Sequence, residues 1–187
     1  MKLWQKGSAA HEKVDQFTVG KDREYDLVLA QYDCQASIVH AKMLAKIELI
    51  SSQEAKQLTE ALTKIQHQAF TGKFSIEDEF EDMHSKIEYL LIKNLGEVGK
   101  KIHTARSRND QVLVSMNLYL KHELSEIKKQ VKKLFDLLLS LAKEHKNKLL
   151  PGYTHLQVDM PSSFGLWFYE YDESFIDNLY FCKRAYK

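Results

Sequence analysis

The stretch NDQVLVSMNLYLKHELSEIKKQVKKLFDLLLSL, residues 109–141, decides the fold. Within it Val112, Met116, Leu120, Leu124, Ile127, Val131, Leu134, Leu138 and Leu141 recur at steps of 4, 4, 4, 3, 4, 3, 4 and 3, uninterrupted by Gly or Pro. That is the period of an amphipathic helix. With its flanks it runs to roughly 38 residues, or ~57 Å at 1.5 Å per residue. A rod of that length buries its stripe only against other long helices, in a bundle or at a subunit interface. The lysines at 128, 129, 132, 133, 143, 146 and 148 lie largely off the stripe and read as a solvated face.

Outward from this helix the pattern stays helical. Only 7 Gly and 2 Pro occur in 187 residues, which argues for long uninterrupted helices. Residues 1–22 read as an irregular arm, with KLW and QF as apolar anchors and Gly20 allowing a turn. From Arg23 to about Ile50, Leu27, Leu29/Ala30, Cys34, Ile38, Ala41 and Leu44/Ala45 form a second stripe. Ser51 and Glu54 offer a capping box for a helix to about Phe70, and Gly72 suits the left-handed residue beyond its end. A further helix is expected to open at Ser75 with the acidic run EDEFED in its first turn, where the helix dipole favours negative charge. Gly96 and Gly99 close it. After LPGYTHLQVDMP breaks the pattern, an aromatic-rich helix (Phe164, Trp167, Phe168, Tyr171, Phe175) runs to FCKRAYK, where no Gly, Asn or Pro ends it, so the chain reads as cut short. The expected fold class is all-α: a small N-terminal helical domain with an extended arm, residues 1–104, then the start of a long-helix bundle, residues 105–187.

Charge and composition exclude several functions. With 27 basic and 26 acidic residues the formal charge is +1, so no global field favours nucleic acid or a membrane surface. The N-terminus lacks the apolar core of a signal peptide, and no apolar run approaches the ~18 residues of a membrane span. Cys34 and Cys182 are too few and too far apart for a disulfide framework or a zinc site. A cytoplasmic protein without metal or cofactor is expected. No Gly-x-Ser-x-Gly, Walker loop, Rossmann glycine fingerprint or His-Glu-x-x-His occurs.

Two segments carry convergent polar groups away from any stripe. HTARSRND, 103–110, stands where the long helix begins, and a helix N-terminus offers unpaired N–H groups and partial positive charge. Thr104, Ser107, Asn109 and the forked donors of Arg106 and Arg108 suit a carboxylate there. The same residues also fit a plainer role, with Ser107 or Asn109 as N-cap and the arginines solvated. GYTHLQ, 152–157, places Tyr, Thr, His and Gln between the two prolines. His155 is of a residue type that can give or take a proton, with Thr154 to orient it or a substrate oxygen, although a lone His is more often structural. His11, His67, His122 and His145 read as surface residues, and His40 shows no partner. His84, in EDMHSKIE, lies with Glu81, Asp82 and Glu88 on successive turns leading into the Arg-rich stretch.

EDMHSKIE, HTARSRNDQV and PGYTHLQ, in that order and at these spacings, resemble the argininosuccinate lyases of the fumarase/aspartase superfamily. The resemblance covers the chain from KLW to the PSSFGLW helix, and Ser-Arg-Asn-Asp-Gln sets it apart from fumarases and adenylosuccinate lyases. It implies a reversible β-elimination in which argininosuccinate yields arginine and fumarate. It implies Asn109 on a substrate carboxylate with Ser107 and Arg108 beside it, and Arg106 and Asp110 in the same segment. Thr154 would bind substrate, His155 would transfer a proton, and His84 and Gln157 would support the pocket. It further implies a homotetramer whose long helices form one bundle and whose site is drawn from three subunits. Since the two segments lie at opposite ends of the long helix, the His155 facing HTARSRND is expected to come from a neighbouring subunit.

The chain departs from that pattern in several places. The Gly-Ser-Ser-x-Met-Pro-Gln-Lys-Lys-Asn loop, which supplies a catalytic serine and a lysine in the family, is absent from these residues, so the 187 residues alone are expected to be inactive. Gly20 stands where a substrate-contacting Ser is usual, with Thr18 or Asp22 as possible substitutes. Ala105 replaces a usual Gly, either stiffening the turn or marking a position of negative φ. Val158-Asp159-Met160 replaces Arg-Ala-Gln. Two other readings remain open: another lyase of the superfamily acting on a different succinyl substrate, and a crystallin-like structural homologue without the chemistry.

Overall fold

The structure, a computed structural model, describes residues 12–186. The KLW anchor and His11 lie outside the described residues. Seven helices are seen among them: α1 (Glu12–Val19), α2 (Asp22–Lys46), α3 (Ser52–Phe70), α4 (Met83–Leu95), α5 (Glu97–Lys100), α6 (Arg108–His145) and α7 (Phe164–Ala185), with one 3-10 turn at Lys101–His103. The all-α reading holds, with one small hairpin added. The chain divides into two compact units, one ending at Tyr119 and the other running from Leu120. The first unit extends beyond the expected boundary at 104 because the first turns of α6 pack into it. Ser115 is buried there, and Tyr119 meets Tyr32 edge to face with ring centroids 5.8 Å apart.

In the first unit α2, α3 and α4 share one core. Leu29, Ala30, Cys34, Ala41 and Leu44 of α2 meet Leu58 and Leu62 of α3 and Ile87 and Leu91 of α4. The α2 stripe is largely as read, except that Leu27 is exposed. The α3 capping box is formed: Glu54 N donates to Ser51 Oγ at 3.2 Å and Ser51 N to Glu54 Oε2 at 2.9 Å. Gly72, at φ +69°, makes the expected left-handed exit. Gly99 has a different task from helix termination. It is buried, and a Cβ on it would lie 2.5 Å from the backbone C and O of Leu91, so only glycine lets α5 lie this close to α4.

Two expectations fail here. The arm is not irregular over 12–19, which form α1, and Phe17 is no anchor, being 91% exposed. Ser75 does not open a helix. Residues 71–82 form an irregular loop, and α4 starts at Met83 with Asp82 as N-cap, accepting from Ser85 N at 2.7 Å. Phe74 and Phe80 of this loop are both buried, Phe74 within the core of the unit. Arg23 clips the loop to α2, donating from Nε to the Phe80 carbonyl at 2.9 Å and from Nη2 to the Asp78 carbonyl at 3.0 Å. Glu81 and Asp82 therefore precede the helix that holds His84 and Glu88.

The long helix α6 has 38 residues. Along it, among the described residues, Val112, Met116, Leu120, Ile127 and Leu134 stay exposed while Leu124, Val131, Leu138 and Leu141 are half-buried.

The second unit holds the rest of α6, a hairpin and α7. Strands β1 (Leu149–Thr154) and β2 (Gln157–Ser163) pair antiparallel, with Leu149 opposite Ser163, Pro151 opposite Pro161 and Thr154 opposite Gln157. A two-stranded ribbon has only edge strands, where a proline without an N–H is tolerated. Ser163 caps α7, accepting from Leu166 N at 3.1 Å. Gly165 brings α7 against the end of α6, where a Cβ would lie 2.5 Å from the Cα of Lys146. His145, read as a surface residue, is half-buried there beside Phe168.

Candidate functional site

The HTARSRND segment is built by three local devices. His40 Nε2 lies 3.0 Å from the Thr104 carbonyl, giving His40 the partner that the sequence did not reveal. Ala105 follows at φ +55°, so the reading of a negative φ is wrong and the turn carries the cost of a side chain in the left-handed region. Ser107 and Asp110 then close a capping box on α6. Asp110 N donates to Ser107 Oγ at 3.3 Å, and Ser107 N to Asp110 Oδ2 at 2.9 Å, which holds the Asp110 carboxyl below its ordinary value.

The two arginines of the segment face inward. Arg106 donates from Nη1 to Ser37 Oγ at 2.8 Å and lies 3.5 Å from Asp33 Oδ1. Burial lowers its guanidinium pKa, and the Asp33 carboxylate works against that shift. Arg108 donates from Nη2 to Ser85 Oγ at 3.2 Å, and its Nε lies 3.4 Å from Asp82 Oδ2. Its Nη1 is buried, 4.0 Å from Glu88 Oε1, without a hydrogen bond. Neither arginine is solvated. The plainer reading is therefore right about Ser107 and wrong about the arginines. Asn109 is exposed, and its amide is uncommitted among the described residues. Thr104 is likewise exposed.

His84 is buried on the first turn of α4, with Nδ1 3.1 Å from Asp33 Oδ1. It joins Thr18, Asp22, Asp26, Asp82, Val112 and Met116 in lining a cleft of about 360 Å³. Thr18 and Asp22 thus border the same cleft as His84, while Gly20 takes φ +52° at the turn between α1 and α2. Asp26 Oδ2 accepts from Met83 N at 3.0 Å, and burial raises its pKa against the pull of that hydrogen bond.

In the second unit the hairpin turns at His155 and Leu156, with φ of +50° and +65°. Both central residues lie in the left-handed region, as a type I′ turn requires, without the Asn or Gly that usually supply it. Leu156 is 94% exposed, so a bulky residue is held strained and unpacked at the tip beside His155. Thr154 and Gln157 flank the tip as partners across the strands. Thr154 Oγ1 donates to Asp159 Oδ2 at 2.9 Å, so the departure at Asp159 fixes the Thr154 hydroxyl. The structure thus gathers His84, Arg106, Ser107, Arg108, Asn109 and Asp110 in the first unit, and Thr154, His155 and Gln157 on the hairpin of the second.

Sequence reading missed Asp33, Ser37 and Ser115, all buried beside Arg106 and His84. A signal was there for one of them. Asp33 lies one turn from Leu29, Ala30 and Ser37 on the buried face of α2, and a carboxylate inside an apolar stripe asks for a partner.

The chain is 49% identical over 186 residues to a protein of Phocaeicola vulgatus named argininosuccinate lyase, covering 100% of this chain and 42% of that one. It is 43% identical over 185 residues to one so named from Thermotoga neapolitana, covering 99% and 46%. The chain therefore spans less than half the length of these curated relatives. Among solved structures, an EDDS lyase variant with bound fumarate superposes with a TM-score of 0.74 at 20% identity, covering 96% of this chain and 35% of that one, which supports the fold. Residues 8–186 match the family described as Lyase, and the chain belongs to that lyase family.

Proposed function

We propose that this chain serves a carbon–nitrogen lyase that cleaves argininosuccinate reversibly to arginine and fumarate, as a step of arginine biosynthesis. The observation that carries the reading is the 49% identity to an argininosuccinate lyase along the entire chain, which includes both polar segments. In the elimination a base takes the proton next to a carboxylate, the aci-carboxylate is stabilised by hydrogen-bond donors, and the C–N bond breaks as an acid protonates the departing guanidinium nitrogen. Asn109, free at the start of α6, holds a substrate carboxylate in this account. Ser107 and Arg108 stand beside it, and Asp110 and Arg106 set the shape of the segment. Thr154 binds substrate, His155 moves a proton, and Gln157 and His84 support them. These steps use proton transfer and hydrogen bonding, and no cofactor is proposed.

The exposed part of the α6 stripe, Val112, Met116, Leu120, Ile127 and Leu134, supports a homo-oligomer, proposed as a homotetramer, in which neighbouring copies complete the site. Because the serine-bearing loop signature is absent from the 187 residues, they are proposed to be inactive alone. A cytoplasmic location is proposed from the sparse, widely separated cysteines. Among the described residues no helix is long and apolar enough to cross a membrane.

The test joins this chain to the remaining part of the Phocaeicola vulgatus relative and offers it argininosuccinate and other succinyl-amino acids or succinyl-nucleotides. Fumarate from argininosuccinate alone is expected. Fumarate only from another substrate would move the reading to a different lyase of the superfamily.

A further inference from the structure

Asp33 is a buried charge at the junction of two polar segments. It sits on α2 between Leu29, Ala30, Cys34 and Ser37. Three groups converge on its Oδ1: His84 Nδ1 at 3.1 Å, Arg106 Nη2 at 3.5 Å and Ser115 Oγ at 3.4 Å. Ser115 also donates to the Gln111 carbonyl at 2.8 Å, and Arg106 also reaches Ser37. Oδ2 is buried and accepts no hydrogen bond. Burying a carboxylate is costly, and an apolar side chain of similar volume is often as stable as a buried ion pair. Stability alone is thus a weak reason for Asp33. What it does distinctively is join two motif segments, since His84 belongs to EDMHSKIE and Arg106 to HTARSRND.

We propose that Asp33 is a positioning residue that, whenever the His84 ring is neutral, keeps its proton on Nδ1 rather than on the buried Nε2, while anchoring Arg106. The electrostatics are direct. A carboxylate oxygen 3.1 Å from Nδ1 attracts an N–H there, and would repel the lone pair of the opposite tautomer even though the ring is set off the line of an ideal hydrogen bond. His84 Nε2 is itself buried without a hydrogen bond, so the tautomer sets how the ring is held in the wall of the cleft rather than what it offers a ligand. Any catalytic consequence rests on the lyase reading, whereas the tautomer does not.

Ring 15N chemical shifts of His84, measured by NMR on the intact 187-residue chain with the ring neutral, test the proposal. A protonated Nδ1 and an unprotonated Nε2 are expected in the unsubstituted chain, with loss of that preference in Asp33→Ala. A ring protonated on Nε2 in the unsubstituted chain overturns the proposal, as does an unchanged Nδ1–H form in folded Asp33→Ala. If Asp33→Ala does not fold, the spectrum of the unsubstituted chain decides alone. Packing by Asp33 would not set a tautomer. Failure of the lyase reading shows separately, as absence of fumarate.

Discussion

Ser107 and Asp110 bind each other reciprocally at the start of α6, each backbone N–H directed to the other's side chain at 2.9 and 3.3 Å. The pair fixes the first turn of the helix and so the direction in which Asn109, between them, faces. Ser107→Ala is expected to cost about 1 kcal/mol, the ordinary value for losing an N-cap side chain. Urea denaturation of the chain measures it, and an unchanged midpoint would remove the capping role.

Ala105 at φ +55° makes the opposite prediction. Ala105→Gly relieves a left-handed alanine, and the relief exceeds the added freedom of the unfolded chain, so a gain of about 1 kcal/mol is expected. Thermal unfolding reads this directly. A loss of stability would show that the turn is not strained.

Gly99→Ala is expected to destabilise by about 1–3 kcal/mol, the range for overpacking, because the new methyl meets the Leu91 backbone, which cannot rotate away as a side chain would. Denaturant unfolding against the parent chain checks it. A neutral result would mean that α5 can withdraw from α4.

Glu54 governs part of the acid response. The Lys101 ammonium first, then the Ser51 N–H, hold its pKa at about 2, down from 4.5. A depressed carboxylate stabilises the fold above its unfolded pKa and loses that contribution as pH falls through its folded one. The contribution is therefore full above pH 4.5 and disappears towards about pH 2. Stability measured across that window should fall less steeply for Glu54→Gln than for the parent chain.

Much of this fold was legible because its signals are local. The α6 stripe, the Ser51–Glu54 box and the Gly72 exit each depend on neighbours three or four residues away. What failed depends on distant contacts. The acidic run looked like a first helical turn, but it lies in a loop where Phe74 and Phe80 are buried and to which Arg23 reaches from α2. The hairpin was hidden because His155 and Leu156 occupy a turn normally marked by Asn or Gly. Similarly, the polar types in HTARSRND could be read, but not that Arg106 and Arg108 point inward, since Asp33, Ser37, Asp82 and Ser85 stand elsewhere in the chain.

The central claim is tested most directly by fumarate release from argininosuccinate. The measurement compares this chain completed with the rest of its Phocaeicola vulgatus relative, the same protein carrying His155→Asn, and the 187 residues alone. The account predicts fumarate from the completed protein, a loss of at least about 100-fold with His155→Asn, as expected when a positioned proton-transfer group is removed, and none from the isolated chain. A folded, assembled completed protein that releases no fumarate would contradict it.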